Sequence, residues 1–212
     1  MAKRKTRKPR RKKSDAYKVA TSFPKQFEYI AGTKPVLLYA PHSAQYKQRN
    51  LVGTYGKPEF ATDIIAEQAA GELDGHSLTL KETVAFNPEL AGTRIERDIA
   101  ALLGVEKIKY FIEIHGHGAT FSHDVVLSTV PQRRKSLNMA RNLAGALSKA
   151  ISGISILYAH IDESNGTTIC ENLTNKFSTH ALRVSISEDL RSNPQWRQVV
   201  IDVLSEWLSA YN

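Results

Sequence analysis

Two apolar runs of this sequence each lead to a histidine. One run begins at Val36 and ends shortly before His42, and a later run ends at His115, which a single glycine separates from His117. Imidazole is the commonest metal ligand in proteins, and a catalytic zinc site takes three protein ligands and leaves one position for water. Open α/β sheets bind ligands beyond the carboxyl ends of their strands, so the pattern predicts that these histidines share one metal centre.

A carboxylate is the expected third ligand, because it neutralises the cation and leaves the water position open. Glu59 and Asp63 are the best candidates, since they stand four residues apart on one face of a helix predicted to begin at Pro58. Glu59 lies in the first turn and would approach the loop after His42, so we prefer Glu59 to Asp63. The alternative is a pair of acids that favours the N-terminal end of the helix dipole.

Three further residues could move protons or support the ligands. His117 shares a strand face with His115 and could bind metal, contact a substrate or donate a proton, or it could be a loop histidine without a role. Glu113 lies on the same face and could orient His115 or coordinate the metal directly. Glu188 follows a late apolar run; it could carry a proton from an attacking water to the leaving group, or simply begin a polar loop.

Arginine and asparagine side chains could bind the substrate. Arg94 and Arg97 share the second predicted helix, and a guanidinium group recognises a carboxylate through two parallel hydrogen bonds. Asn87 stands at the end of a predicted strand, just before Pro88, and could join them. These residues predict a substrate that carries a carboxylate. The alternative for each arginine is a solvated charge on the surface of a helix.

The elements that must position these residues alternate along the chain. Strands are predicted at residues 36–39, 78–86, 108–114, 125–129, 154–158 and 181–186. Helices are predicted to open at Pro58, Thr93, Pro131 and Pro194. This alternation predicts a three-layer α/β/α fold around a mixed, mainly parallel sheet. An eightfold α/β barrel usually needs roughly 250 residues, more than this chain has.

Positive charge is concentrated near residue 1. The chain has 212 residues and a net charge of +8. Nine of its 29 Lys and Arg residues lie in residues 1–13, which contain no acid. The rest of the chain therefore has 20 basic and 21 acidic residues and is close to neutral. We expect residues 1–13 to be a basic disordered tail, residues 14–34 a lead-in segment and residues 35–212 one folded domain.

The cysteine content and the apolar stretches of the sequence also bear on the cellular compartment of the protein. Cys170 is the single cysteine of the chain, which excludes an internal disulfide and a cysteine-rich metal cage. No stretch approaches the ~18 apolar residues of a membrane span, and no apolar stretch of a secretory signal follows the basic residues. We therefore expect a cytoplasmic protein without a membrane span.

The candidate functional residues together resemble those of the N-formylglutamate amidohydrolase family, whose fold is similar to that of the zinc carboxypeptidases. The likeness is good over residues 36–118 and looser beyond. It lies in four features: Pro41-His42-Ser43, the helix with Glu59 and Asp63, Asn87 with a downstream arginine, and Glu113-Ile-His115-Gly116. The resemblance implies a hydrolase with one zinc ion per chain that cleaves an amide bond of an N-acylated amino acid or a γ-glutamyl-like compound. It also implies that His42, a helix acid and His115 bind the zinc.

The sequence departs from this family at three positions. Such relatives usually have an aspartate at the position of Glu113, a glycine at that of Ala44 and a glutamate at that of Ser185. The nearest glutamate here is Glu188, three residues further on. A chain without the acid/base glutamate would bind metal and ligand without catalysing a reaction.

Two other functions fit parts of the sequence. A dinuclear cluster resembling metallo-β-lactamase-type sites could combine His115 and His117 with His123 and Asp124, although the spacing is wider than in that family. The second function is binding without catalysis, in which residues 1–13 tether the protein to nucleic acid or another polyanion with salt-dependent affinity. A solvated tail with no partner is the alternative to such a tether.

Overall fold

The computed structural model describes residues 23–47, 54–118, 121–161 and 167–211. In these residues the strands are β1 (Phe27–Ile30), β2 (Val36–Ala40), β3 (Tyr46–Lys47), β4 (Tyr55–Gly56), β5 (His76–Leu80), β6 (Tyr110–His117), β7 (Val125–Thr129), β8 (Ile156–His160) and β9 (His180–Ser187). The helices are α1 (Thr62–Leu73), α2 (Arg94–Glu106), α3 (Arg134–Ala150), α4 (Ile169–Phe177), α5 (Glu188–Ser192) and α6 (Pro194–Ser209).

Seven of these strands form one mixed sheet in the order β1-β5-β2-β6-β9-β7-β8. Strands β5, β2, β6 and β9 run parallel to one another, while β1 pairs antiparallel with β5 and β7 pairs antiparallel with β9. Strands β3 and β4 form a separate antiparallel pair. The mixed, mainly parallel sheet that the sequence predicts is therefore confirmed.

Helices cover both faces of the sheet, because its central strands carry apolar side chains on both sides. In β2, Val36 and Leu38 belong to a core that includes residues of α1, α3 and α6. Leu37 and Tyr39 belong to a second core, on the opposite face, with residues of α2 and α4. All five residues of β2 are buried. The predicted three-layer α/β/α fold is confirmed by these two cores.

Two helix starts differ from the prediction. Helix α1 begins at Thr62 and not at Pro58, because Ala61 adopts a left-handed backbone with a φ of 61°, which cannot continue a right-handed helix. Helix α3 begins two residues after Gln132, which is also left-handed with a φ of 58°, and not at Pro131. Helices α2 and α6 begin as predicted. The residues ahead of α1 are consequently a loop.

Several short elements carried no periodic signal in the sequence. They are β1, β3, β4, α4 and α5, and β1 lies within the lead-in segment, so the sheet begins ahead of residue 35. Strand β5 ends at Leu80, although a strand over residues 78–86 was predicted. The basic tail at residues 1–13 and residues 14–22 lie outside the described residues. No helix in the described residues has the length and apolar character needed to cross a membrane.

Strand β1 is attached to the sheet edge partly through His76. The Tyr29 hydroxyl lies 2.7 Å from His76 Nδ1, and the Gly32 N–H group donates to the same nitrogen at 3.2 Å. Two donors on one ring nitrogen require that this nitrogen carry no proton. Burial lowers the pKa of His76, and the opposing attraction of Glu106 and Asp74 is smaller.

We predict that this contact makes the fold sensitive to acid. Because the pKa of His76 is lower in the folded protein, its contribution is complete above the unfolded value of about 6.5 and is lost as the pH falls through the folded value. Between about pH 7.5 and about pH 5, the free energy of unfolding should fall by about 1 kcal/mol more in the wild type than in His76→Gln. Urea unfolding at both pH values measures the difference, with the exposed His160→Gln as control. Equal pH dependence in wild type and His76→Gln would contradict the assignment.

Candidate metal centre

His42 and His115 meet beside the carboxyl ends of β2 and β6, two neighbouring parallel strands. Their rings lie edge to face, with centroids 4.9 Å apart and planes at 87°. Both side chains are buried, with 3% of His42 and 5% of His115 exposed. The structure therefore brings together the two histidines on which the prediction of a metal centre depends.

Glu59 lies between these two rings, in the loop that precedes α1. Its Oε1 atom is 3.2 Å from Nδ1 of His42, and its Oε2 atom is 3.5 Å from Nδ1 of His115. The Gly116 N–H group donates a hydrogen bond to the same Oε2 atom at 2.9 Å. The Glu59 N–H group donates to the carbonyl oxygen of His42 at 2.8 Å, which fastens the loop to the end of β2. One carboxylate thus contacts both imidazoles.

A second carboxylate, Glu89, lies on another side of the same two rings. One of its oxygens and one nitrogen from each of His42 and His115 lie within 4.8 Å of one another, so these three residues could hold a metal ion. Its Oε2 atom is 3.9 Å from Nε2 of His115. Asn87 connects the group, since its Oδ1 atom is 3.2 Å from Nε2 of His42 and its Nδ2 atom donates to Glu89 at 3.3 Å. The sequence analysis identified Asn87 and missed Glu89, two residues later.

Arg183 and Glu113, on adjacent strands, form an ion pair next to His115 and Glu89. The register pairs Glu113 of β6 directly with Arg183 of β9. The Arg183 Nε–H group donates to Glu113 Oε2 at 3.0 Å, and Arg183 Nη2 lies 3.1 Å from Glu89 Oε2. Glu113 is fully buried, and its Oε2 atom is 3.7 Å from Nε2 of His115. The sequence analysis did not identify Arg183, because a single charge inside an apolar run gives no sign of its partner.

The charges of this cluster shift the pKa values of its members. Burial would raise the pKa of Glu59, but His115 and His42 outweigh burial and hold that pKa far below its ordinary value. Burial and Arg183 lower the pKa of His115, but Glu59 and Glu113 outweigh them and raise it to about 9. Opposite charges at close range cause such shifts. The cluster therefore attracts a cation, either a proton or a metal ion.

The donor atoms around the two histidines fit zinc. Two imidazoles and one carboxylate are a known ligand set of catalytic zinc sites. His42, His115 and Glu89 each place one donor atom within 4.8 Å of the other two. Glu59 places a different oxygen against each ring, Oε1 3.2 Å from Nδ1 of His42 and Oε2 3.5 Å from Nδ1 of His115. Within the described residues, the ion pairs of Glu59 are those with the two histidines, and its charge also acts on Arg191 without a direct ion pair.

Three other predicted residues do not reach this centre. Asp63 lies 3.0 Å from Lys81 Nζ, because α1 begins at Thr62 and directs the first turn towards β5. Arg94 is an exposed residue 3.5 Å from Asp98 of its own helix, and its side chain is 64% exposed. Arg97 is also exposed on α2. The buried face of α2 packs on the sheet, which leaves both arginines on the solvent side.

His117 extends the face of β6 that carries His115. Its ring packs against Phe121 with centroids 5.2 Å apart, and its Nε2 atom is buried without a hydrogen-bond partner in the described residues. Glu188 is the exposed first residue of α5. Burial lowers the pKa of Arg191, and the charges of Glu59 and Glu188 oppose that shift. Among the described residues, no hydrogen bond or ion pair connects Glu188 with either histidine of the centre.

The dinuclear alternative gains no support from the described part of the chain. The Asp124 carboxylate accepts hydrogen bonds from the Ser155 N–H and hydroxyl groups at 2.8 and 2.9 Å. His123 Nδ1 lies 3.1 Å from the hydroxyl of its neighbour Ser122. Neither residue belongs to the group of histidines and acids that could hold a metal ion.

Solved structures share this fold at low sequence identity. A bacteriophage poly-gamma-glutamate hydrolase is 13% identical with a TM-score of 0.55, and the match covers 92% of this chain and 94% of that one. The N-acetylmuramoyl-L-alanine amidase AmiC2 of Nostoc punctiforme is 12% identical with a TM-score of 0.51, covering 85% of this chain and 98% of that one. A protein assigned as a carboxypeptidase A from Shewanella denitrificans is 11% identical with a TM-score of 0.52, covering 87% of this chain and 60% of that one.

Comparisons of sequence alone add no relative: no protein-family model and no curated protein matches this chain. At identities of 11–13% the structural likeness establishes the fold. This chain therefore has the fold of proteins described as a hydrolase, an amidase and a carboxypeptidase.

Proposed function

We propose that the protein is a metal-dependent hydrolase, with one zinc ion per chain, that cleaves an amide bond of an N-acylated amino acid or peptide-like substrate. The observation that carries the proposal is the Glu59 carboxylate between the Nδ1 atoms of His42 and His115. The fold supports it, because the similar structures are described as a poly-gamma-glutamate hydrolase, an amidase and a carboxypeptidase. The resemblance to N-formylglutamate amidohydrolases favours the same class of bond.

We propose His42, Glu59 and His115 as the three ligands. Glu89 is the competing carboxylate, and two observations favour Glu59 over it. The oxygens of Glu59 are nearer to the ring nitrogens, at 3.2 and 3.5 Å against 3.9 Å for Glu89. In addition, Arg183 lies 3.1 Å from Glu89 and already balances its charge.

Neighbouring side chains would orient these ligands. The Asn87 Oδ1 atom lies 3.2 Å from His42 Nε2, so it can accept the Nε2–H group and leave Nδ1 unprotonated towards Glu59. The Tyr46 ring stacks on His42 with centroids 3.7 Å apart and covers that face of the imidazole. A bound zinc ion would polarise the scissile carbonyl group and lower the pKa of an attacking water molecule.

The proton carrier is proposed from position on the strands. His117 could contact the substrate or move a proton, since it lies two residues beyond His115 on the same strand face and its buried Nε2 atom has no hydrogen-bond partner in the described residues. We propose Glu188 as the second candidate for the proton carrier; its carboxylate is exposed to solvent just beyond the end of β9.

We propose that two exposed phenylalanines, Phe60 and Phe121, border the substrate site. Phe60 directly follows Glu59 and is 58% exposed, and Phe121 packs on His117 and is 54% exposed. Apolar surface beside a polar centre commonly binds the apolar part of a ligand. Because Arg94 and Arg97 face solvent on α2, a carboxylate on the substrate has less support than an apolar group next to the amide.

A second candidate function is metal binding without catalysis. On β9, the residues paired with Glu113, His115 and His117 are Arg183, Ser185 and Ser187. None of these three β9 residues is a carboxylate that could act as a general base. Hydrolysis of a model amide decides between the two functions.

The tail contributes a separate proposal. Residues 1–13 carry nine basic residues and lie outside the described residues. We propose that they bind nucleic acid or another polyanion through phosphate contacts, with an affinity that falls as salt rises. We also propose a cytoplasmic location, which the single buried Cys170 favours.

The zinc content of ligand variants tests the proposed centre. We expect about one zinc ion per purified wild-type chain and less than about a tenth in His42→Ala and His115→Ala, since each loses a ligand. Hydrolysis of N-acyl amino acids should fall by roughly 1,000-fold in both. His160→Ala, an exposed histidine away from the centre, is the control. Folded variants that keep zinc, or a metal-free wild type that is active, would contradict the proposal.

Truncation of Phe60 or Phe121 tests the proposal that these two side chains contact the substrate. Phe60→Ala and Phe121→Ala should each lower kcat/KM for N-acetylphenylalanine amide by roughly 5- to 30-fold, because each loses about 1–2 kcal/mol of apolar contact. The same variants should change kcat/KM for N-acetylglycine amide by less than about 3-fold. Phe177→Ala removes an exposed phenylalanine of α4 and serves as the matched control. Equal losses of kcat/KM on both substrates would refute an apolar contact between these phenylalanines and the substrate.

A further inference from the structure

Two partly exposed carboxylates, Glu59 and Glu89, lie beside the pair of imidazoles. Glu59 faces the Nδ1 atoms of both rings, at 3.2 and 3.5 Å. Glu89 lies 3.9 Å from Nε2 of His115 and within 4.8 Å of a nitrogen of each ring. Both glutamates have the same side-chain exposure, 18%. Glu89 completes a group whose donor atoms lie within 4.8 Å of one another, while Glu59 has the shorter contacts to the rings, so the two carboxylates compete for the third ligand position.

Arg183 distinguishes the two carboxylates. Its Nη2 atom is 3.1 Å from Glu89 and its Nε–H group donates to Glu113 at 3.0 Å. Glu59 forms no direct ion pair with an arginine or lysine in the described residues, although Arg191 is close enough for the charge of Glu59 to act on it. The Arg183 side chain is 16% exposed and starts from the central strand β9, directly across from Glu113 on β6. Its place is therefore set by the sheet and not by a mobile loop.

The charge count of the centre agrees with this role. Three carboxylates, those of Glu59, Glu89 and Glu113, surround the histidines, and one guanidinium group opposes them. The net charge of these four side chains is −2, and it is −1 when Arg191, on which the charge of Glu59 acts, is included. Buried charges are costly unless they are paired, so the remaining negative charge favours a bound cation.

We propose that Arg183 is a positioning residue: it acts as a built-in cation that keeps Glu89 out of the coordination shell and so assigns the third ligand position to Glu59. This inference rests on the proposed metal centre. Without Arg183, Glu89 has no cation of its own and turns to the metal ion. Glu59 then becomes dispensable, since either carboxylate can complete a set with His42 and His115.

Zinc affinity in two backgrounds tests this assignment without using activity. Glu59→Gln and Glu89→Gln are made in the wild type and in Arg183→Gln/Glu113→Gln, which removes the guanidinium and the buried acid that would otherwise lose its partner. Each full-length chain is stripped of metal and titrated with zinc against a competing chelator. In the wild-type background, Glu59→Gln should weaken zinc binding by at least about 100-fold. The loss of affinity caused by Glu89→Gln should be smaller than the Glu59→Gln loss by a factor of at least about 30. In the second background the loss caused by Glu59→Gln should shrink to less than about 10-fold.

The possible results separate the inference from the proposed function. A wild-type chain that takes up no zinc overturns the metal centre itself. A wild-type chain that binds zinc, with the same Glu59→Gln loss in both backgrounds or with equal losses for Glu59→Gln and Glu89→Gln, overturns only the role of Arg183.

Arg183→Lys gives a second measurement if the double background does not fold. A lysine keeps the positive charge beside Glu89 but lacks the planar fork of arginine. The loss of zinc affinity caused by Glu59→Gln should then stay within about 3-fold of the wild-type loss. Disappearance of that loss while the charge is retained would overturn the inference.

Discussion

The functional architecture depends on one interaction, the contact of a single partly buried carboxylate with two imidazoles from different segments of the chain. Glu59 can make it only because β2 and β6 are neighbours and run parallel, so that His42 and His115 lie at the same end of the sheet. A carboxylate between two ring nitrogens attracts positive charge strongly. The same contact explains the lowered pKa of Glu59 and the raised pKa of His115.

A buried arginine holds the Glu59 loop against the strand ends. The Arg191 Nε–H group donates to the carbonyl oxygen of Ile186 at 3.0 Å, and its terminal nitrogens donate to the carbonyl oxygens of Phe60 and His117. These three carbonyls belong to β9, to the loop before α1 and to β6. A Cβ atom at residue 116 would overlap this guanidinium group, so the close approach requires the glycine that follows His115. The centre is thus fixed by backbone contacts as well as by its own side chains.

Apolar periodicity was sufficient to predict the layers of the fold and the meeting of the two histidines, because buried parallel strands are continuous apolar runs. It also indicated Glu59, although from a helical turn that the structure replaces with a loop. Glu89 and Arg183 could not be predicted in the same way. Their roles depend on pairing between segments almost a hundred residues apart, and a charge in a loop or inside an apolar run does not reveal its partner.

The most direct measurement is an anomalous-scattering map from crystals of the full chain grown with zinc. The account predicts one strong peak, within bonding distance of the Nδ1 atoms of His42 and His115 and of a Glu59 oxygen. Absence of a peak at these histidines, or a peak coordinated through their Nε2 atoms and Glu89, would contradict the central claim.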